Sequence, residues 1–226
     1  EEGKKQENIE SISAKAIGDL QADAKPENVE NDWLANFFDK CKLVSDKEMQ
    51  GVWGRILAGE ANRPGTFSKR TIELISSLDK ADAHLFTALC GFGWMIGNVV
   101  PLIFDAENEI YTKHGITFSA LTHLESLGLL RFETQFGFIR KGLPKSIVVT
   151  YYGTPISLSF DKGAAKDNTL QTGKILLSQA GQELAPISGS KPIEGFTEYV
   201  ASKWAEHDVA TSSLWPNKRF KPTAPP

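Results

Sequence analysis

The clearest pattern of apolar and polar residues lies between Ser45 and Leu78, and it predicts two short helices. Apolar residues recur there at spacings of three and four, which places them on one face of each helix. These residues are Met49, Val52, Trp53, Ile56 and Leu57 in the first helix, and Ile72, Ile75 and Leu78 in the second. Two apolar stripes joined by a short connector predict an antiparallel helical hairpin.

Start and stop signals frame both helices. Ser45 and Glu48 have the spacing of a capping box, in which each side chain binds the backbone N–H of the other residue. Gly59 is placed to end the first helix, and Pro64-Gly65 marks a turn. Ser68 then has the position of the cap that starts the second helix.

Weaker helical periodicity flanks this hairpin. Residues 1–28 carry only a faint apolar stripe, so we predict a weakly ordered N-terminal helix there. Residues 29–97 are interpreted as a helical domain, whose last helix starts after Asp79 and continues through Ile96.

Strand patterns begin after residue 97. The pattern of residues 98–187 predicts a short helix, several strands and a closing helix. Apolar and polar residues alternate strictly from Ile156 to Phe160, which is typical of a strand. This order, opened by HLESLGLLRF and closed by ILLSQAGQEL, resembles a winged helix. No parallel βαβ rhythm is present, which argues against a nucleotide-binding sheet. The fold class we predict is α+β, mainly α with a small antiparallel sheet.

The C-terminal part holds one more helix and a tail. Residues 188–208 have an amphipathic pattern and predict a helix. Residues 209–226 are rich in proline and basic residues, and we predict that they are disordered.

Composition limits the class of protein. The chain of 226 residues is 41% hydrophobic and 23% charged, so it can build a core, and its net charge of -3 argues against a generally basic nucleic-acid binder. The two cysteines are too few for a disulfide framework, and no apolar run reaches membrane-spanning length. We therefore expect a cytoplasmic protein. Because the chain starts at Glu1, we also expect a fragment or a processed form, whose upstream segment could hold a targeting signal.

Residues for catalysis are not arranged in any motif that we can identify. His84, His114, His123 and His207 lack ligand partners at metal-binding spacing, and no GxSxG sequence is present. The glycines of GFGWMIG have GxGxxxG spacing with no preceding strand, so we interpret them as packing or helix-ending residues. We predict no catalytic, cofactor or metal site and no cofactor, and keep an enzyme with a spatially assembled site as a third hypothesis.

A polar group surrounds the predicted hairpin turn. Its members are Arg55, Glu60, Arg63, Lys69 and Arg70. We predict that they form a structural ion-pair network that fixes the turn. An alternative is an anion site at the start of the second helix, where GTFSKR resembles part of a phosphate-binding loop.

A second polar group is the candidate for binding DNA or phosphate. Thr122 and His123 lie on the polar face of the predicted recognition helix, and Arg140, Lys141 and Lys145 lie in the predicted wing. Basic wing residues contact phosphates, and polar helix residues can read base edges. DNA binding is therefore our alternative function.

A family resemblance rests on the segment from residue 45 to residue 78. The residues that carry it are Ser45, Asp46, Glu48, Met49, Gln50, Trp53, Ile56, Leu57, Ala58, Gly59, Glu60, Pro64, Gly65, Ser68, Arg70 and Thr71. The segment is similar to a bacterial family catalogued as domain of unknown function 2806, and more distantly resembles the abortive-infection alpha proteins. The ending KRFKPTAPP resembles tails encoded at recombination sites of mobile integron cassettes.

These resemblances imply a bacterial accessory protein and a role in phage defence, with no catalytic residues to transfer. We predict a non-enzymatic interaction or regulatory module, and we favour a protein partner or self-association over nucleic acid. The predicted partner surfaces are the apolar stripes of the end helices, formed by Ile9, Ile12 and Ile17 and by Phe196, Val200 and Trp204.

Overall fold

The computed structural model describes residues 1–160 and 167–213. Its helices are α1 Glu2–Ile17, α2 Asn31–Cys41, α3 Lys47–Asn62, α4 Lys69–Ser76, α5 Lys80–Cys90, α6 Glu109–Thr112, α7 Phe118–Ser126, α8 Gln179–Leu184 and α9 Phe196–Ala205. Its strands are β1 Gly93–Ile96, β2 Asn98–Pro101, β3 Leu130–Phe132, β4 Phe138–Lys141, β5 Ser146–Tyr151, β6 Thr154–Phe160, β7 Thr169–Gly173, β8 Ile175–Leu177 and β9 Val209–Ser213. The predicted α+β class is confirmed.

The chain divides into two compact units. The first unit consists of Glu1–Phe86, Leu127–Leu129 and Ser178–Gly189. The second unit consists of Thr87–Ser126, Leu130–Leu177 and Ser190–Pro226, within the limits of the described residues. Helices α3 and α4 belong to the first unit, and every strand among the described residues belongs to the second. The two helices do not form the predicted hairpin, because α3 packs on α1 whereas α4 packs on α2 and α8.

Helix α1 is a regular part of the first unit, in contrast to the weakly ordered helix that we predicted. Ile12 has no exposed surface, and Ala16 is buried. The approach to α3 is close, since a Cβ atom on Gly54 would lie 2.9 Å from Cβ of Lys15. The weak apolar stripe of α1 is enough to hold this helix in the unit, because Gly54 has no side chain and lets the backbones of α1 and α3 approach closely.

The helix starts follow the predicted capping chemistry with one correction. Ser68 caps α4 and accepts a hydrogen bond from the N–H of Thr71, as predicted. At α3 the cap is Asp46 and not Ser45, because the Asp46 carboxylate accepts from the N–H groups of both Glu48 and Met49. A carboxylate at this position also interacts favourably with the helix dipole.

Helix α5 ends earlier than predicted. It stops at Cys90, a turn follows at residues 91–92, and Gly93–Ile96 form strand β1. Phe92, Trp94 and Ile96 alternate with the exposed Met95, so the period is two and not 3.6. Gly97, with φ of +77°, makes the turn into β2. The glycines of this segment therefore belong to a helix end, a strand and a turn.

The second unit contains a five-stranded antiparallel sheet in the order β2-β1-β5-β6-β9. Two smaller antiparallel pairs, β3–β8 and β4–β7, accompany it. Strand β9 pairs with β6, so residues 209–213 of the predicted disordered tail are ordered, and residues 214–226 lie outside the described residues. Helix α7, the β3–β8 pair and α8 keep the predicted winged-helix order, but four further strands separate β3 from β8. The winged helix stays a prediction.

An aromatic core joins one face of this sheet to α9. Trp94 stacks on Tyr151 at 5.1 Å between ring centroids and meets Trp204 edge-on at 5.2 Å. Phe196, Val200 and Trp204 are buried with at most 1% of their surface exposed. The prediction that this stripe is a partner surface was wrong, because the stripe faces the core of its own unit.

None of the helices in the described part of the chain is long and apolar enough to cross a membrane.

Candidate functional site

The turn between α3 and α4 is built around a buried carboxylate. Glu60 is only 3% exposed, and its two oxygens accept hydrogen bonds from the N–H groups of Gly65 at 2.6 Å and Phe67 at 2.9 Å. The carbonyl of Phe67 accepts a further bond from the indole N–H of Trp33 at 2.7 Å. Side chains therefore satisfy the polar backbone groups of this turn.

A second carboxylate occupies the start of α4. Oε2 of Glu183, which α8 supplies, accepts from the N–H of Ser68 at 2.9 Å and from Oγ1 of Thr71 at 2.5 Å. Thr71 has no exposed surface. The alternative of a phosphate site at this helix start is therefore not supported, since the protein places its own anion there.

The predicted ion-pair network across the turn is not what holds it. Arg55 donates from Nε to the carbonyl of Ile187 at 2.6 Å, and Lys69 lies 3.9 Å from Asp32. Arg63 and Arg70 are exposed on the outside of the turn. Glu60 does hold the turn, but its carboxylate binds the backbone N–H groups of Gly65 and Phe67.

Another buried side chain of the same segment has a comparable role. Gln50 has no exposed surface, and its amide donates to the carbonyl of Val44 and to the side chain of Asn8. Its oxygen accepts from the hydroxyl of Ser11 at 2.8 Å. The polar residues of the α3–α4 segment thus fix α1 and the turn in place.

The family model described as "Protein of unknown function (DUF2806)" matches residues 1–201 of the chain. The match spans both compact units and includes the carboxylate-held turn. The chain belongs to the DUF2806 family. No curated protein and no solved structure gives a significant match. For this DUF2806 protein, the motif from residue 45 to residue 78 therefore has an architectural explanation in its buried hydrogen bonds.

The five residues predicted to bind DNA or phosphate lie on separate elements of the second unit. Thr122 and His123 are exposed on α7, and the Thr122 hydroxyl donates to the carbonyl of Phe118 one turn earlier. Arg140 on β4 donates to the side-chain oxygen of Asn98 at 2.6 Å. Lys141 and Lys145 are exposed at the two ends of the β4–β5 connection.

A charged cleft of about 200 Å³ lies elsewhere in the second unit of the DUF2806 protein. Its polar lining includes Asp105, Lys174, Lys203, Glu206 and His207. The hydrogen bond from Lys203 to Glu206, at 2.9 Å, raises the pKa of the lysine. A lysine in this state stays protonated at neutral pH, so it has no free electron pair for attack on a substrate.

The outer face of the five-stranded sheet is the largest feature that the sequence did not predict. The strand register places ten exposed or half-buried side chains together on this face: Met95, Val99, Ser146, Val148, Thr150, Pro155, Ser157, Ser159, Ala210 and Ser212. Each is exposed or half-buried, and none is charged. We call this set the uncharged face. The alternation of Ile156, Leu158 and Phe160 with serines was its only signal in the sequence, because the register of five strands decides which residues meet.

Exposed charges in the first unit cluster on α3 and α5. Glu48 accepts from Lys80 at 2.6 Å and contacts Nε2 of His84 at 2.7 Å. The hydrogen bond from Lys80, followed by that from His84, lowers the pKa of the Glu48 carboxyl. A carboxylate whose folded pKa is lowered contributes stability above its unfolded pKa and loses it as the pH falls through the folded value.

This cluster gives a prediction for pH dependence. We expect Glu48→Gln to lower the urea midpoint of unfolding at about pH 7 and to have a smaller effect at about pH 3, because the contribution of the carboxylate is lost as the pH falls through its lowered folded-state pKa. Urea titrations at the two pH values measure the difference. Glu107→Gln, at an exposed carboxyl, is the control and should give curves that match the wild type at both values. A Glu48→Gln effect that is equal at both pH values would contradict the role assigned to the ion pairs.

Proposed function

We propose that this DUF2806 protein is a non-enzymatic interaction module that binds a protein partner through the uncharged face. One observation carries the proposal: ten neighbouring, solvent-facing residues on five strands include no charged side chain. Charged residues make up 23% of the chain, so ten positions would hold about two if charges were evenly spread, and more on an ordinary surface.

Charge depletion is typical of the centre of a protein interface. Interface cores contain few charged residues because each charge would lose its hydration on binding. Met95 and Val148 are 46% and 60% exposed, so apolar surface remains for a partner to cover. The same face has neither the basic residues nor the aromatic rings with which proteins bind nucleic acid.

The states of the nucleophilic groups also support a non-enzymatic role. Burial raises the pKa of the Cys41 thiol to about 12, so the thiolate that attacks a substrate is scarce at neutral pH. Glu60 and Glu183 are occupied by backbone N–H groups and by Thr71. Among the described residues, no group of three His, Cys, Asp or Glu side chains is placed to hold a metal ion.

Site-specific photo-crosslinking in cells tests the proposal. With a photoreactive amino acid at Ser157, we expect a crosslinked protein product that disappears when Val148→Glu is introduced on the neighbouring strand. The same probe at Leu176, which is exposed on β8 outside the uncharged face, is the matched control and should give no such product. A product that nuclease removes, or the absence of any product at Ser157, would contradict a protein-binding role.

DNA binding is the alternative function, and the exposed positions of Lys141 and Lys145 favour it. Against it, Arg140 and Thr122 already have partners within the chain. The alternative requires salt-dependent binding of mixed-sequence duplex that is lost when Arg140, Lys141 and Lys145 are all replaced by alanine. Absence of binding at low salt removes it.

The setting of this role is also part of the proposal. We place the module in the cytoplasm because two cysteines are typical of a reducing compartment. We place it in bacterial phage defence on the strength of the resemblance to abortive-infection proteins. Neither setting follows from the interaction surface, and each stays a prediction.

A further inference from the structure

We infer that the charged cleft of the second unit binds a nucleobase, either of a free nucleotide or of one unpaired nucleotide in a strand. Besides the charged residues named above, Phe104, Phe136 and Gln171 line this cleft. The cleft shares no residue with the uncharged face, so the inference is independent of the proposed function. Three observations support it: an exposed aromatic ring, the backbone that holds this ring, and the hydrogen-bonding groups around it.

The exposed ring belongs to Phe136, in the connection between β3 and β4. Its side chain is 83% exposed, more than any other large hydrophobic side chain in the described part of the chain. A ring that stays in water contributes little to the hydrophobic core, so folding does not explain a phenylalanine here. Because the ring also lines a cleft, most of its surface is free for a planar ligand to stack on.

Backbone contacts hold the Phe136 loop beside the cleft. A Cβ atom on the next residue, Gly137, would lie 2.8 Å from the carbonyl oxygen of Gly173. The side-chain Nζ of Lys174 donates to the carbonyl of Thr134 at 3.0 Å, in the same loop. The ring is therefore placed before a ligand arrives, so binding does not have to order the loop.

The polar side chains of the cleft include both donors and acceptors. The donors are Lys174 and Lys203, the acceptors are Asp105 and Glu206, and Gln171 and His207 can act as either. Nucleobase edges carry the complementary groups: lysine donates to purine acceptors, carboxylates accept from exocyclic amino groups, and glutamine can bind adenine. Together with an aromatic ring for stacking, these are the groups with which proteins recognise an unpaired base.

The charge balance and the size of the cleft favour a base over a phosphate group. Two lysines and two carboxylates cancel at neutral pH, so the cleft has no excess positive charge to attract a phosphate by itself. Its volume of about 200 Å³ is smaller than the roughly 300–1,000 Å³ of sites for drug-sized ligands, which suits a single base. A site this small and partly open predicts a dissociation constant on the order of 100 μM to 1 mM.

NMR titrations of the whole chain with guanosine, adenosine and cytidine monophosphates test the inference. We expect saturable shifts, and ribose phosphate, which lacks the base, should bind at least about tenfold more weakly. Phe136→Ala should weaken nucleotide binding by about 5- to 150-fold, the range for loss of a base–aromatic stack, whereas Phe136→Tyr keeps the ring and should bind as the wild type does. Phe118→Ala is the matched control, since it removes an exposed ring on α7 outside the cleft and should leave binding unchanged. Circular dichroism checks that each variant is folded.

A short single-stranded oligonucleotide separates the two sources of the base. If the strand binds at least about tenfold more tightly than the mononucleotides and still requires Phe136, the base belongs to a strand, and otherwise to a free nucleotide. The inference is overturned if no nucleotide binds up to about 10 mM, if ribose phosphate binds equally well, or if Phe136→Ala binds as the wild type does. None of these results changes the Ser157 crosslink, so this inference and the proposed function fail separately.

Discussion

Gly173→Ala is expected to lower the free energy of unfolding by about 3–5 kcal/mol, enough to remove much of the stability of an average domain. Gly173 has φ of +80°, a conformation that disfavours any residue with a Cβ atom. A Cβ atom there would lie 2.5 Å from the carbonyl oxygen of Ile103 and 2.8 Å from its carbonyl carbon. The chain is this close because the N–H of Lys174 donates to the same Ile103 oxygen at 2.7 Å.

The obstacle to an alanine at this position is backbone, so no change of rotamer can relieve it. The strand would have to move away from Ile103, which would break the hydrogen bond of Lys174. Urea-induced unfolding followed by circular dichroism measures the loss, and failure to obtain folded protein is its extreme form.

Gly142→Ala is the matched control for this prediction. Gly142 has φ of +70°, and a Cβ atom there would meet nothing within 4 Å. It should therefore show only the conformational penalty of about 1–2 kcal/mol. Equal losses for the two variants would mean that the contact with Ile103 contributes nothing.

Glu60→Ala is expected to lower the free energy of unfolding by about 2–4 kcal/mol. The substitution leaves the N–H groups of Gly65 and Phe67 without their acceptor. The Phe67 bond is buried, and each unsatisfied buried donor costs about 1–3 kcal/mol. Urea titrations at neutral pH provide the measurement.

Two further variants show whether the hydrogen bonds are the cause. Glu60→Gln keeps one acceptor oxygen at nearly the same size, so its loss should fall between the wild type and Glu60→Ala. Glu7→Ala removes an exposed carboxyl from α1 and should change stability by less than about 0.5 kcal/mol. If Glu60→Ala behaved like Glu7→Ala, the turn would be held by its other contacts.

The positions of the Glu60 and Ser68 side chains explain why the family motif does not form an active site or a binding site. Glu60 and Ser68 would suit an active site or an anion site if they were open to solvent. Both are instead directed into a turn, where Glu183 from a distant helix completes the hydrogen bonding. The surface of the second unit is therefore the more informative place to look for a partner.

Local signals in the sequence were sufficient for the two helices α3 and α4 and for several strands. The Ser68 cap, the apolar stripe through Trp53 and Ile56, and the alternation from Ile156 to Phe160 all involve residues a few positions apart. Their physical causes act within one helical turn or along one strand, so they can be recognised without the fold. The two helices and the α+β class followed from them.

Local signals misled where two periods overlap. Phe92 and Ile96 are four residues apart and suit a helical stripe, yet Trp94 between them is also buried, and Gly93–Ile96 form a strand. The stripe of Phe196, Val200 and Trp204 was correctly predicted as a helix face. Whether such a face meets the core or a partner depends on what the rest of the chain places against it.

Only the tertiary structure decided the polar contacts and the candidate surface. Glu183 reaches Ser68 across 115 residues of sequence, and no local pattern specifies that meeting. The uncharged face likewise exists because the register of β1, β2, β5, β6 and β9 places uncharged residues side by side. The sequence by itself determined most of the helices and several strands, since those choices depend on neighbouring residues. The tertiary structure determined which polar groups are buried and which face stays open, since those depend on contacts between distant segments.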